Sequence, residues 1–188
     1  DLHLAASGLL SEKVGGPSVF PPLPEGVAEL SYANNFKWET SEGEDRYRRG
    51  LYTFAKRTAP YAMFATFDGP SGEACTARRD VTNTALQSLT LLNDTVVMEA
   101  ARHLGRRAAA VTGNDDARLT WLFREVLTRP PAADESAAIL AFVNGQRARL
   151  AAGELAPSLA GDGASAEDAA WTLAARALFN LDEAIVIF

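Results

Sequence analysis

A chain of 188 residues, 47% of them hydrophobic and 22% charged, is long enough for one globular domain and too apolar for wholesale disorder. Its net charge of −6 lacks the basic excess of nucleic-acid-binding proteins, so we expect no nucleic-acid partner. No apolar run approaches the roughly 20 residues that cross a bilayer, which predicts no membrane span in these residues.

The two ends of the sequence and its cysteine content bear on how the protein is organised. The chain opens directly on DLHLAASG, with no starting methionine and no signal-peptide pattern. We expect a fragment of a longer multidomain protein, with a mature processed product as the alternative. The single cysteine, Cys75, has no second cysteine for a disulfide or for a haem-attachment motif, and this decides little about the compartment.

Residues 8–45 are rich in glycine and proline. Proline fixes its own φ and keeps the preceding residue out of the α region, which predicts a long irregular arm. We expect Val19 and Phe20 to attach this arm to the rest of the protein by burying their side chains. The next stretch, EDRYRRGLYTFAKRTAP, places Tyr47, Leu51 and Phe54 at helical spacing, which predicts an α-helix.

From residue 82 onward, apolar residues recur every three or four positions, which predicts one helix after another. Three of these helices are preceded by side chains that can cap a helix start. The expected caps are one residue of the Thr82, Asn83 and Thr84 triplet, then Asn114 or Asp115, and finally Ser165 paired with Asp168. The positions expected to face inward are Leu86, Leu89, Leu92, Val97, Ala101, Leu104, Leu119, Leu122, Phe123, Val126, Leu127, Ile139, Phe142, Val143, Leu150, Trp171, Ala174, Leu178 and Leu181.

The predicted fold class is therefore all-α, a bundle of about five to six helices with a long Pro/Gly-rich irregular N-terminal arm. No alternating β-branched run indicates a strand. We expect one helical domain over residues 1–188. Within it, residues 1–80 form the arm with one or two helices, and residues 81–188 form the helical bundle.

Sequence patterns of catalysis and metal binding are lacking. The only histidines, His3 and His103, are far apart and no His/Cys cluster has ligand spacing, so we expect no metal and no cofactor. Neither a G-x-S-x-G elbow nor a phosphate-binding glycine loop occurs, and we assign no catalytic residue. Cys75 lies near two arginines that would favour its thiolate, but a small buried side chain is the simpler interpretation.

The candidate site residues are arginines with acidic and amide residues around them: Arg46, Arg49, Asp68, Arg78, Arg79, Asn83 and Asp94. Guanidinium groups form forked hydrogen bonds with carboxylate, sulfate or phosphate, which indicates a site for an anion or an acidic saccharide. The structural alternative, which we favour, is an arginine–aspartate network that clamps the arm onto the bundle. Aromatic residues in the same region would stack on a sugar or pack in the core.

Four segments in fixed order resemble planctomycete-specific domain one, also called domain of unknown function 1553. They are GLLSEKVGGPSVFPPLPEG, EDRYRRGLYTFAKRTAP, FDGPSGEACTARRDVTNTALQSLTLLND and ALFNLDEAIV. The resemblance implies a helical fold, export to the periplasm or the extracellular space, and upstream domains of the same polypeptide, including a cytochrome c domain, as partners. It implies no established activity. Ala85 replaces a proline that this family usually has, which a helix start tolerates.

Two functional hypotheses follow from these observations. The first is a non-catalytic binding or scaffolding module in an exported bacterial multidomain protein, with an acidic glycan as a possible ligand. The alternative is part of a polysaccharide-active enzyme whose site is completed by an N-terminal portion outside this chain. In that case Asp45, Asp68 and Asp94 would supply the carboxylates that glycoside chemistry needs.

Overall fold

The computed structural model describes residues 1–23, 38–56, 61–70, 75, 77–78 and 81–186. Within these ranges the chain forms α-helices and short 3₁₀ helices and no strand. The α-helices are α1 (Leu2–Ser7), α2 (Ala62–Thr66), α3 (Ala85–Asn93), α4 (Thr95–Ala110), α5 (Asp115–Leu127), α6 (Ala133–Ala151), α7 (Ala166–Phe179) and α8 (Asp182–Ile185). The 3₁₀ helices are Gly43–Tyr47, Gly50–Tyr52 and Pro157–Ala160. Five of the α-helices have nine or more residues, so the predicted all-α bundle is confirmed.

Helices α4 and α7 make the most extensive contact in the described structure. Small residues line this contact, and Ala100 and Ala174 are fully buried in it. At the closest point, a Cβ atom added to Gly105 would lie 2.5 Å from the backbone nitrogen of Thr172. The two backbones therefore approach each other closely. The other long helices contact α4, α7 or both, so this pair forms the centre of the bundle.

The predicted helix starts are confirmed by their hydrogen bonds. The Thr84 hydroxyl accepts from the Gln87 backbone N–H at 3.3 Å, and the Gln87 side chain accepts from the Thr84 N–H at 2.9 Å. Ser165 and Asp168 form the same reciprocal pair at the start of α7. Asn114 caps α5 by accepting from the Ala117 N–H at 3.0 Å. These caps satisfy backbone donors that lack a partner inside the helix.

Most of the predicted inward positions are buried, and those of α5 are at most 7% exposed. The predictions for Phe142 and Leu181 were wrong, since each is 37% exposed. The prediction for α3 was wrong. Leu86 and Leu89 are 60% and 58% exposed, whereas Gln87 and Leu91 face the protein interior. Gln87 is buried because its side-chain amide is fully used: it donates to the Thr66 carbonyl and the Thr82 hydroxyl and completes the helix cap.

The predicted α-helix around Tyr47 and Phe54 was also wrong, because this stretch pairs with the earlier part of the arm around Val19 instead. It forms two short 3₁₀ helices and extended backbone, and Leu51 is 78% exposed. The Val19 N–H donates to the Tyr52 carbonyl and the Phe54 N–H donates to the Val19 carbonyl, both at 2.8 Å. These bonds use backbone groups that a helix would pair internally. Val19 is 2% exposed, which confirms it as an attachment point of the arm.

Candidate functional site

A cleft of about 270 Å³ lies where α1, the two 3₁₀ helices of the arm, α2 and the junction of α3 and α4 meet. Its apolar wall includes Met63, Phe64, Phe67, Leu91 and Val97. Its polar side chains include His3, Arg46, Arg48, Tyr61 and Asp94. A mostly apolar wall with a few polar groups is the usual composition of a small-molecule site, so this cleft is the candidate site.

Arg48 is the most deeply buried charged residue of this cleft, at 4% exposure. Its Nη2 donates to the carbonyls of Lys13 at 2.9 Å and Gly15 at 2.7 Å, and its guanidinium lies over the Tyr52 ring at 3.8 Å. Its Nε and Nη1 atoms are buried without a hydrogen-bond partner. Arg48 therefore holds the arm in place with one nitrogen and has unused donors on the other two.

Arg46 joins the arm to the bundle. Its Nη2 and Nε donate to the two carboxylate oxygens of Glu99 on α4, at 2.6 Å and 3.0 Å, and the Tyr47 hydroxyl donates to the same carboxylate. Burial raises the pKa of Tyr47, and the Glu99 charge raises it further. The predicted arginine clamp is present here, but its carboxylate comes from Glu99 and not from one of the predicted aspartates.

Asp94 separates α3 from α4 and caps α4, since its Oδ1 accepts from the Val97 N–H at 3.0 Å. Burial raises the pKa of its carboxyl group above the usual value. Burial also raises the pKa of Tyr61, and the nearby Asp94 charge adds to this effect. The cleft thus holds a carboxyl group that ionises less readily than an exposed one.

His3 approaches the cleft from α1, and its ring packs against the Phe179 ring at a centroid distance of 4.5 Å. Its Nε2 atom is buried without a hydrogen-bond partner. Burial, together with the charge of the amino group of residue 1, lowers the pKa of His3 to about 4. The imidazole is therefore neutral near pH 7.

Of the predicted site residues, the structure brings Arg46 and Asp94 together on the wall of the cleft. Arg49 and Arg78 are exposed to solvent and do not line it. Arg79 lies outside the described residues. The predicted set therefore does not form a single site in the described part of the chain.

Asp68 and Asn83 have structural contacts away from the cleft. Asp68 accepts hydrogen bonds from the backbone N–H and the hydroxyl of Thr82, at 2.9 Å and 2.8 Å. The Asn83 side chain donates to Asp182 at the start of α8. These two contacts fix the segment that enters α3.

Sequence reasoning missed the contributions of Arg48 and His3. Arg48 belongs to the arginine-rich stretch, but it lies outside the apolar spacing of Tyr47, Leu51 and Phe54 on which the prediction for this stretch was based. His3 was considered only as a metal ligand, for which a second nearby ligand would be needed. No signal in the sequence shows that a donor or acceptor is left unpaired after folding.

The exposed leucines of α3 form a second feature, which we call the leucine face: Leu86, Leu89 and Leu92. They are 60%, 58% and 37% exposed. No residue of α3 carries a charge. A contiguous apolar surface of this kind is typical of protein–protein contacts.

Two kinds of site are not found in the described ranges. None of the helices there is long and apolar enough to cross a bilayer. No group of three or more His, Cys, Asp or Glu side chains there could hold a metal ion.

The fold and the cleft define an all-α domain with a small, mostly apolar pocket beside an irregular arm. The family model PSD1, described as protein of unknown function (DUF1553), matches residues 1–143. The chain belongs to this family. The matched residues include every polar side chain of the cleft named above. No curated protein and no solved structure matches the chain.

Proposed function

We propose that this chain is a non-catalytic binding module that holds a small acidic ligand, of the acidic glycan class, in the cleft. The observation that carries the proposal is Arg48, a buried cation on the cleft wall whose Nε and Nη1 have no partner. An unpaired buried donor costs about 1–3 kcal/mol, and more when it is charged. A carboxylate oxygen that accepted from one of these atoms would reduce that cost, since Nε–H and Nη1–H face different edges of the guanidinium plane.

The charges around the cleft favour an anion at Arg48 over one at Arg46. Glu99 already neutralises Arg46, whereas Arg48 has no acidic partner among the described residues. Asp94, a carboxyl group on the cleft wall whose pKa burial raises, would repel an anion when ionised. The rings of Tyr61 and Phe64, 5.5 Å apart, supply apolar surface for the C–H groups of a sugar ring.

Arg48→Lys is expected to weaken the binding of glucuronate about tenfold or more, because a single ammonium nitrogen keeps the charge but cannot bond the arm carbonyls and a ligand from separate nitrogens as the guanidinium does. Isothermal titration calorimetry measures the affinity. Arg49→Lys is the matched control, since Arg49 is adjacent and exposed and its replacement should leave the affinity unchanged.

Arg48 also holds the arm, so circular dichroism must show that the variant is folded. Should it unfold, Phe64→Leu tests the same cleft from its apolar side and is expected to lower the affinity several-fold. The absence of glucuronate binding to the wild-type chain, or equal affinities for the wild type and a folded Arg48→Lys variant, would contradict the proposal.

We further propose that the module acts as a scaffold for the upstream domains of the same polypeptide, in an exported protein that includes a cytochrome c domain. The proposed export and the proposed partner domains are based on the resemblance of the four sequence segments to domain of unknown function 1553. The leucine face supports a contact with an apolar partner surface, because α3 offers exposed leucines and no charge for a polar one.

Leu89→Asp is expected to weaken the association of this chain with the upstream portion of its polypeptide more than tenfold, because it would bury an unpaired carboxylate in the contact. A pull-down with the two pieces produced separately measures the association. Leu51→Asp places the same charge at another exposed leucine, 78% exposed on the arm, and should have no effect. Equal retention of both variants would argue against the leucine face as the contact.

The alternative, part of a polysaccharide-active enzyme, has one supporting observation. Asp94 is a cleft carboxyl with a raised pKa, as a general acid requires. Glycoside hydrolysis needs a second carboxylate about 5–10 Å away. Asp45 pairs with Lys13 and Asp68 with Thr82, and neither lines the cleft. The binding module is therefore the better-supported function.

A further inference from the structure

His3 supplies a second polar group without a partner on the same cleft as Arg48. Its Nε2 atom is buried without a hydrogen-bond partner. In a neutral imidazole one ring nitrogen is a donor and the other an acceptor, and the tautomer decides which role Nε2 has. The cleft thus has unused donors on Arg48 and an unused ring nitrogen on His3.

The unused groups correspond to two different parts of one ligand. The Arg48 donors suit a carboxylate, and a hydroxyl group, which both donates and accepts, suits Nε2 in either tautomer. A ligand with only the acidic group would leave Nε2 unpaired, at a cost comparable to a lost hydrogen bond. A hydroxy acid satisfies both residues at once.

The size of the cleft limits how large this hydroxy acid is. Pockets for drug-sized ligands have volumes of about 300–1,000 Å³, and the cleft, at about 270 Å³, lies just below that range. One sugar ring fits such a volume better than an oligosaccharide does. The ligand is then a single uronic acid or the terminal uronic acid of a longer chain.

Building on the function proposed above, we infer that His3 determines ligand specificity by forming a hydrogen bond with a hydroxyl group of a monosaccharide-sized hydroxy acid. Arg48 binds the carboxylate, Tyr61 and Phe64 contact the ring, and His3 distinguishes a hydroxylated ring from a bare one. His3 is a binding residue in this assignment, and no reaction at its ring is required.

The test compares two six-membered-ring carboxylates, glucuronate and cyclohexanecarboxylate, by calorimetric titration of the wild-type chain and of His3→Leu. The quantity of interest is the ratio of the two affinities. His3→Leu is expected to lower the preference for glucuronate about two- to tenfold, the worth of one hydrogen bond, because it weakens glucuronate binding more than cyclohexanecarboxylate binding. His3→Gln keeps a side chain that forms hydrogen bonds and is expected to restore part of the preference.

The outcomes separate this inference from the proposed function. Binding of neither carboxylate to the wild type would overturn both. Binding of both, with a ratio that His3→Leu leaves unchanged, would overturn the assignment of His3 while the cleft remains an acid-binding site. Circular dichroism checks folding. If His3→Leu unfolds, a folded His3→Gln variant with at least a twofold change in the ratio supports the assignment, and an unchanged ratio overturns it.

Discussion

Gly105→Ala is expected to destabilise the protein by about 3 kcal/mol, the upper end of the usual cost of overpacking, although alanine is the better helix former. The added Cβ would lie 2.5 Å from both the backbone nitrogen and the Cα of Thr172. Backbone atoms cannot rotate away as the end of a flexible side chain can. The α4–α7 contact would have to open, and the surrounding alanines would lose their close packing.

The same substitution at Gly145 supplies a matched control of opposite sign. Gly145 is also helical, on α6, but it is exposed and an added Cβ would meet no atom within 4 Å. Gly145→Ala is expected to stabilise the protein by about 0.5–1 kcal/mol through helix propensity alone. Urea unfolding followed by circular dichroism measures both free energies. A stability gain in both variants would show that α4 and α7 are not packed as described.

The features that could be predicted from the sequence are those determined by neighbouring residues. The capping pair Ser165–Asp168 and the cap Asn114 each depend on positions three residues apart, and the structure confirms both. The buried face of α5 was predicted correctly because charged and polar residues occupy the opposite face. Only one orientation of such a helix buries its apolar residues. Fold class follows from the same local patterns.

The orientation of α3 could not be predicted because its sequence, ALQSLTLLN, has leucines on more than one face and no charged residue. Spacing alone favoured Leu86 and Leu89 as inward residues. In the structure, the buried side is instead the one with Leu91 and Gln87. A glutamine side chain can be buried only when its amide has hydrogen-bond partners. Two partners of the Gln87 amide, Thr66 and Thr82, lie outside α3.

The cleft could not be predicted because its polar residues come from distant parts of the chain. His3, Arg48 and Asp94 reach one another only when α1, the arm and the α3–α4 junction are assembled. The position of the arm depends on backbone hydrogen bonding between Val19 and Tyr52. This long-range contact outweighs the helical spacing of the apolar residues around Tyr52. Sequence analysis correctly placed Arg46 and Asp94 among the candidates because charge and capping are visible locally.

The side chain of Trp171 on α7 combines apolar burial with a satisfied polar group. It is fully buried, and its Nε1 donates to Glu167 at 2.8 Å. Glu167 is also held by Arg118 at 2.8 Å and by Arg147. These two arginines bring α5 and α6 to α7, so the ring of Trp171 lies beneath a junction of three helices.

Trp171→Ala is expected to lower the free energy of unfolding by about 3–5 kcal/mol, because it creates a cavity among rigid helices and removes one donor from Glu167. A typical domain has only about 5–15 kcal/mol of stability, so this one change threatens the fold. Urea unfolding measures the loss. Trp121→Ala is the matched control: Trp121 is half-buried, its ring lies 5.0 Å from the Arg107 guanidinium, and its loss should cost less than half as much. Equal losses in the two variants would contradict the central position of Trp171, because a partly exposed ring leaves no comparable cavity when it is removed.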